Sequence, residues 1–301
     1  MRQIFCFLLI AALLAGCGAA PVGSGAVTFT DDLGYSVSLD SWERVVSLYG
    51  SFGETWLLAG GTLVGSTRDA ITERKLSLGE DVAVVGTVKE PNLEEILALS
   101  PDFVILSADT ANQVKLHDAL TQAGVPHAYY RVDSFSQYLA MLEQFCALTD
   151  RPDLYKENGL AVQNQIDKVL ASVKGEPAPE VLLLRCYSTG VKAKGADNLT
   201  GYMLRDLGAD NIADRPDSLL ENLSLETVLA EDPDHIFITT MGDEAAALTY
   251  FRENWEHNPA WVGLTAVKQG RVTVLPKELF HYKPNKNWGE SYENLAKILY
   301  P

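Results

Sequence analysis

The chain is poor in cysteine. It has four in 301 residues, and two of them, Cys6 and Cys17, stand near its start. Only Cys146 and Cys186 remain for the body of the protein, too few for a disulfide framework, and we expect both to be buried free thiols. The five histidines show no zinc-ligand spacing, so we predict no metal ion bound directly by the protein.

The sequence also lacks the common catalytic motifs. It contains no glycine-rich phosphate loop, no GxSxG nucleophile elbow and no zinc-protease helix. Cys186 is the one candidate for a reactive thiol. We therefore expect a protein that is not an enzyme, and keep a surface α/β hydrolase or cell-wall enzyme as an alternative of another class.

Positive charge is scarce as well. Lysine and arginine total 24 against 40 acidic residues, which gives a formal charge of −16. Proteins that bind nucleic acid present basic surfaces, so this balance argues against a nucleic-acid partner. It favours solubility and says little about the fold.

Long hydrophobic runs are missing beyond the first sixteen residues. Arg2 precedes an apolar run at 4–15, too short to span a bilayer and typical of a signal peptide at 1–16. The run ends Leu14-Ala15-Gly16-Cys17, which resembles the lipobox of bacterial lipoproteins. That resemblance implies cleavage before Cys17, lipid modification of its thiol, and attachment to the extracytoplasmic face of the cell membrane through a flexible tether at 17–26. An ordinary signal peptide with a chance cysteine is the alternative.

What the sequence does contain is a phrase that occurs twice, 132 residues apart. Residues 92–106 read NLEEILALSPDFVIL and residues 224–238 read SLETVLAEDPDHIFI. In each copy a good N-cap residue begins a helical pattern, a proline ends it, and an apolar run predicts a buried strand. A helix followed by a core strand is half of a βαβ unit, so we predict two similar α/β lobes with parallel sheets and a cleft between them.

The remaining pattern divides the chain. Residues 27–39 alternate as a β-hairpin does, and we place an N-terminal lobe at 27–150. Residues 134–174 have almost no strand signal, and Pro152 suits the start of a long connecting helix at 151–175. The C-terminal lobe is predicted at 176–301.

Five further stretches, in this order and spacing, resemble a known family: Arg44-Val-Val-Ser-Leu48 with Glu54, Val85-Gly86 with Pro91-Asn92-Leu93-Glu94, residues 99–105, residues 208–212, and Leu223-Ser-Leu-Glu226 with Pro233-Asp234. The chain resembles a substrate-binding lipoprotein of an ABC importer, of the single-helix-hinge class that carries ferric siderophores, haem and cobalamin. The resemblance implies two Rossmann-like α/β lobes joined by one long helix, a ligand in the cleft, and the permease and ATPase subunits as partners. It also implies a monomer with no cofactor of its own, whose lobes move little because a helix bends poorly.

Glu94 and Glu226 occupy the same place in the two copies of the phrase. In the family, matching glutamates on each lobe dock onto arginines of the permease, and we carry that role over to these two residues. The alternative is that an acidic residue early in a helix simply favours the helix macrodipole, which contributes about 0.3–1 kcal/mol.

Candidate ligand-binding residues follow from the sheet type, because ligands of open α/β sheets bind beyond the carboxyl ends of the strands. Many basic groups fall in those loops, which suits an anionic ligand. Arg68, Arg185 and Lys192 are the strongest candidates, and the alternative for each is a surface charge that points away. The full set of predicted ligand-binding residues is Tyr49, Ser51, Phe52, Arg68, Lys89, Arg131, Arg185, Tyr187, Lys192, Lys194, His281, Tyr282 and Lys283.

The ligand class stays open at this point. A ferric siderophore is favoured over haem and cobalamin by the basic loops and by the frequency of such ligands in the family. Haem needs an axial ligand, usually histidine or tyrosine, and His281-Tyr282 lies in a candidate loop. A non-transport adhesion or sensor role of the same fold is a further alternative.

Overall fold

The computed structural model describes residues 26–215, 219–220 and 223–301. The predicted signal peptide, the lipidated Cys17 and all of the tether but its last residue therefore lie outside the described residues. Within the described part of the chain, no helix is both long enough and apolar enough to cross a membrane.

The strands of the described residues begin with a separate hairpin and then form two sheets. Their bounds are β1 Val27–Thr30, β2 Ser36–Leu39, β3 Val45–Ser47, β4 Gly65–Ser66, β5 Ala83–Val84, β6 Phe103–Ser107, β7 His127–Tyr130, β8 Glu180–Tyr187, β9 Gly190–Ala193, β10 Asp210–Asn211, β11 His235–Thr240 and β12 Val272–Val274.

The α-helices of the same residues are mostly short and lie between the strands. Their bounds are α1 Gly50–Leu58, α2 Asp69–Thr72, α3 Leu93–Ala98, α4 Ala111–Val114, α5 His117–Gln122, α6 Phe135–Leu148, α7 Pro152–Tyr155, α8 Ala161–Ser172, α9 Leu199–Asp206, α10 Leu225–Glu231, α11 Glu244–Phe251, α12 Pro259–Gly263, α13 Thr265–Lys268, α14 Lys277–Phe280 and α15 Trp288–Leu299.

Each lobe is built on a parallel sheet. The N-terminal sheet has the order β5-β4-β3-β6-β7, and the C-terminal sheet has the order β10-β8-β11-β12 with β9 antiparallel to β8. The central strands β6 and β11 are buried along almost their whole length, as strands covered on both faces must be. The predicted class, two α/β lobes with parallel sheets, is confirmed.

The repeated phrase folds in the same way in both lobes. The Asn92 side chain accepts hydrogen bonds from the first turn of α3, and Ser224 does so for α10. A residue with positive φ, Ser100 or Asp232, lies just before each proline, so the chain reverses there and enters β6 or β11. The predicted helix, turn and strand of both copies are confirmed.

The region between the sheets is helical from Pro152 to Ser172. Two α-helical segments flank a π-helical turn at Lys156–Leu160. The second segment, α8, packs against α15 and buries Val162 and Ile166. A cluster of buried apolar residues links both sheets to these helices. Because the lobes share this core, their relative motion should be small.

Of two further predictions from the sequence, one agrees with the structure and the other is wrong. Cys146 and Cys186 are buried and free, as expected. Residues 185–194, predicted as a loop, instead form the end of β8 and the strand β9, joined by a tight turn at Ser188 and Thr189. The strand was missed because its four residues, beginning with glycine, carry too little β propensity to show a pattern.

Candidate functional site

A cavity of about 720 Å³ lies between the two lobes. Residues that follow the carboxyl ends of β3, β5, β6, β7 and β11 contribute to it, as expected for parallel sheets. Arg185, near the carboxyl end of β8, contributes as well. Its lining consists of Tyr49, Phe52, Val88, Lys89, Ser107, Asp109, Thr110, Ala111, Asn112, Asp133, Arg185, Lys194, Asp197, Asn198, Met241 and Lys283.

Two aromatic rings form part of the N-terminal wall. Tyr49 and Phe52 stand at the start of α1 with ring centroids 4.8 Å apart. The backbone N–H of Gly50 donates to the Asp69 carboxylate at 2.7 Å, which satisfies one of the free donors of the helix start. Burial raises the pKa of the Tyr49 hydroxyl well above its usual range, so the phenol stays protonated.

A buried glutamine joins three loops of this wall. The Gln113 carbonyl accepts from the Ser107 N–H at 2.7 Å, and its amide donates to the carbonyls of Leu48 at 2.7 Å and Val88 at 3.0 Å. The Asn112 amide donates to the Lys89 carbonyl at 2.8 Å. Because buried polar groups require partners, Gln113 fixes the loops that follow β3, β5 and β6 relative to one another.

The C-terminal wall is carried by the β8–β9 hairpin. Arg185 lies directly opposite Lys192 in the antiparallel register, and Lys194 follows two residues later, so all three side chains leave the same face. Like charges directly opposite each other destabilise a strand pair. Burial lowers the pKa of the Arg185 guanidinium, although arginine remains charged under ordinary conditions. The stability of the β8–β9 pair therefore does not explain why these cations lie together.

The charges of the cavity fall into two groups. Lys283 Nζ is 2.8 Å from Asp133 Oδ1, and Arg131 Nε, just outside the lining, is 2.6 Å from Asp109 Oδ1. In contrast, no carboxylate of the described residues lies within 4 Å of the charged nitrogens of three lining cations, Lys89, Arg185 and Lys194. These three are available to an anionic ligand.

Six of the predicted ligand-binding residues line the cavity: Tyr49, Phe52, Lys89, Arg185, Lys194 and Lys283. The other seven stand outside the lining that the described residues form: Ser51, Arg68, Arg131, Tyr187, Lys192, His281 and Tyr282. Ser51 is buried and its carbonyl accepts from Asn285 at 2.9 Å. Arg68 and Lys192 are exposed, and the Tyr282 ring faces Lys277 at 5.9 Å.

His281 is held as a neutral imidazole. Burial, followed by the nearby charges of Arg185, Lys277 and Lys283, lowers the pKa of His281 to about 3. Its Nδ1 atom is buried and has no hydrogen-bond partner among the described residues.

Sequence reasoning missed the carboxylates and amides of the cavity, because it searched the loops for cations and aromatic rings. Asp109 follows β6 directly, so a strand-end rule applied to all polar residues would have found it. Asn112 lies in the next helix, α4, which that rule does not search. Asp197 and Asn198 precede α9, where Asn198 is the N-cap. Met241 follows β11 and is exposed; a lone methionine after a strand gives no signal of a site.

Glu94 and Glu226 are exposed residues in the first turns of α3 and α10. No cation lies within 4 Å of either carboxylate in the described part of the chain. Both are therefore accessible to a partner, and their role in docking stays a prediction.

Comparison with known proteins places the chain in a family. A family model described as "Periplasmic binding protein" matches residues 45–279. The chain is 25% identical to the Fe(3+)-citrate-binding protein YfmC of Bacillus subtilis over 311 aligned positions, which cover 99% of this chain and 96% of that protein. It is 26% identical to the putative ABC transporter substrate-binding lipoprotein YhfQ of the same organism, with 89% and 88% covered.

Solved structures show the same fold. Staphylococcus aureus IsdE complexed with heme aligns with a TM-score of 0.72 at 20% identity, covering 86% of this chain and 99% of that one. Bacillus subtilis FeuA, a triscatecholate siderophore binding protein complexed with ferri-bacillibactin, aligns with a TM-score of 0.70 at 19% identity, covering 90% and 96%. With two α/β lobes, a cleft between them and a family match over most of its length, this chain belongs to the periplasmic binding proteins.

Proposed function

We propose that this protein is the extracytoplasmic substrate-binding component of an ABC importer and that it captures an anionic Fe(III) chelate, a ferric siderophore or a ferric carboxylate complex. The observation that carries the proposal is the set of three cations, Lys89, Arg185 and Lys194, that line the cavity without a carboxylate partner. Arg185 and Lys194 are half-buried, whereas Lys89 is exposed. A half-buried cation is costly without a counter-charge, and an anionic ligand supplies one to Arg185 and Lys194. The relatives named for ferric citrate and for a ferric siderophore support the same ligand class.

Haem is the second candidate, because several relatives and several solved structures are named for it. Met241 lines the cavity and offers a thioether, which serves as an axial haem ligand in some proteins. One observation weighs against haem here: His281 and Tyr282, the predicted candidates for an axial ligand, lie outside the lining that the described residues form.

A direct test is to titrate the purified protein with ferric citrate, a ferric tris-catecholate chelate, haemin and cobalamins, and to follow quenching of its five tryptophans. The proposal expects saturable quenching by at least one of the two ferric chelates and none by the matching iron-free chelators. Quenching by haemin alone would move the assignment to haem, and no quenching by any of these compounds would reject it.

The protein acts in this proposal as a monomer held at the membrane by a lipid on Cys17, with a permease and an ATPase as partners. Glu94 and Glu226 supply one exposed carboxylate on each lobe for arginines of the permease. Reversing both charges (E94K/E226K) should abolish uptake and leave ligand affinity intact. The matched control is E143K/E253K, which makes the same change at one exposed residue of each lobe. Normal uptake by E94K/E226K would refute the docking role.

The proposal includes no enzymatic step. Burial raises the pKa of the Cys186 thiol to about 12 and that of Cys146 to about 11. Because the thiolate is the nucleophile, neither cysteine is suited to covalent catalysis at neutral pH.

A further inference from the structure

Among the described residues, one ion pair crosses the cleft. Lys283 Nζ, from the C-terminal lobe, is 2.8 Å from Asp133 Oδ1, three residues beyond the end of β7 in the N-terminal lobe. Both residues line the cavity. The pair is partly withdrawn from water, since the two side chains are 14% and 28% exposed. It is therefore a contact between the lobes at the place where a ligand is expected.

The backbones on both sides of this pair are anchored. The Asp133 N–H donates to Gln137 Oε1 at 2.7 Å, directly before the capping box that begins α6. Two residues beyond Lys283, the fully buried Asn285 donates its amide to the Ser51 carbonyl and to Glu54, both at 2.9 Å. The main chain is thus fixed, and only the side-chain ends of Asp133 and Lys283 are free to change partners.

The charges around Asp133 are cationic. Its carboxylate acts electrostatically on Arg131 and Arg185 in addition to Lys283. Lysine presents three donors on a flexible stem and exchanges partners more readily than the rigid fork of arginine. A ligand carboxylate or catecholate that enters the cavity therefore meets a cation that is already bound to an anion of the protein.

We propose that Asp133 is an internal counter-anion, which holds Lys283 across the cleft and gives it up to the anionic ligand. The inference rests on the proposed function in one respect, that the ligand is an anion. This arrangement makes binding selective, because the ligand must displace Asp133 before it can bind Lys283. Weakly charged molecules therefore gain no affinity from Lys283. Removing Asp133 should strengthen binding of anions, although it deletes a contact between the lobes.

The first test measures affinity for ferric citrate by tryptophan quenching. D133N should bind about tenfold more tightly than the wild type because the competing anion is gone, and K283M about tenfold more weakly. D153N is the matched control: it removes an equal charge from an exposed ion pair with Arg151, outside the lining of the cavity. It should change affinity by less than about threefold.

The second test measures the reactivity of the Lys283 amine, as its rate of acetylation by acetic anhydride followed by mass spectrometry. Without ligand, Lys283 should react slowly in the wild type and in D153N, and at least several-fold faster in D133N. Saturating ferric citrate should slow the reaction again in D133N, because the ligand takes the place of the carboxylate.

The outcomes separate the inference from the proposed function. If D133N binds ferric citrate no better than D153N, or if the ligand leaves Lys283 of D133N as reactive as before, Asp133 is only a fixed contact and the inference is wrong. If no ferric chelate binds the wild type, the proposed function fails. An unchanged acetylation rate in ligand-free D133N would by itself refute the proposal that Asp133 is the internal counter-anion of Lys283.

Discussion

The two lobes repeat one another where they form the fold and differ where they face the cleft. Helices α3 and α10 have matching N-caps and an exposed glutamate at the same position, and both lead into buried central strands. The walls of the cavity share no such pattern. The N-terminal wall has short strands joined by the buried Gln113, whereas the C-terminal wall is a longer hairpin that carries Arg185 and Lys194. The repeated parts thus suit a pair of equivalent contacts, and the parts that differ suit one asymmetric ligand.

Removing the cations of the C-terminal wall should produce the largest effect. The double variant R185M/K194M should weaken binding of an anionic ferric chelate by about a hundredfold or more, since hydrogen bonds to charged groups contribute about 1.5–3 kcal/mol each. Isothermal titration calorimetry with ferric citrate measures it. The control is K168M/K174M, which removes two exposed lysines of the helical connection. Equal affinities for the two variants would show that the hairpin does not select the ligand.

In the N-terminal wall, removal of the Gln113 hydrogen bonds should lower the stability of the protein. Gln113→Leu leaves the Ser107 N–H and the Leu48 and Val88 carbonyls without their partner, and unsatisfied buried groups cost about 1–3 kcal/mol. Chemical denaturation should show a loss of about 2 kcal/mol or more in the free energy of unfolding. Gln122→Leu, at an exposed position of α5, is the control. A stability loss no greater than that of the control would mean that Gln113 does not hold the three loops together.

His281 should make the stability of the protein depend on pH. Its pKa is about 3 in the folded protein against about 6.5 in an unfolded chain, so unfolding takes up a proton between these values. The contribution of the neutral imidazole is complete above pH 6.5 and is lost as the pH falls toward 3. Between pH 7 and pH 5, the midpoint temperature of thermal unfolding should fall less for H281Q than for the wild type. Identical declines would place the acid sensitivity elsewhere.

The helix caps should give the smallest effect and the closest match between the lobes. N92A and S224A each remove the side chain that caps the first turn of a repeated helix. Each should lower the free energy of unfolding by about 1 kcal/mol, measured by urea denaturation. A large effect in one lobe and none in the other would break the equivalence of the two copies.

The features predicted correctly from the sequence are those set by local chemistry. The caps at Asn92 and Ser224, the prolines and the apolar strand runs act within a few residues, so the pattern alone predicts both copies of the phrase. The strand β9 was missed because it is short and depends on pairing with β8.

The cavity was predicted less completely because its geometry joins distant residues. Asp133 and Lys283 are 150 positions apart, and no local pattern indicates that they meet. Gln113 gave no signal either, since a polar residue in a helix is usually exposed. The strand-end rule located the cleft and several of its cations, but which side chains face into it depends on the packing of the two lobes.

We propose that the repeated glutamates serve the transporter and that the walls that differ between the lobes serve the ligand. The most direct measurement is uptake of radiolabelled iron from a bound ferric chelate, made beside the affinity of the purified protein, for E94K/E226K and for R185M/K194M. We expect the first variant to bind normally and not to support uptake, whereas the second should lose affinity and regain uptake at high ligand concentration. The reverse pattern, weakened binding in E94K/E226K with R185M/K194M unchanged, would contradict it.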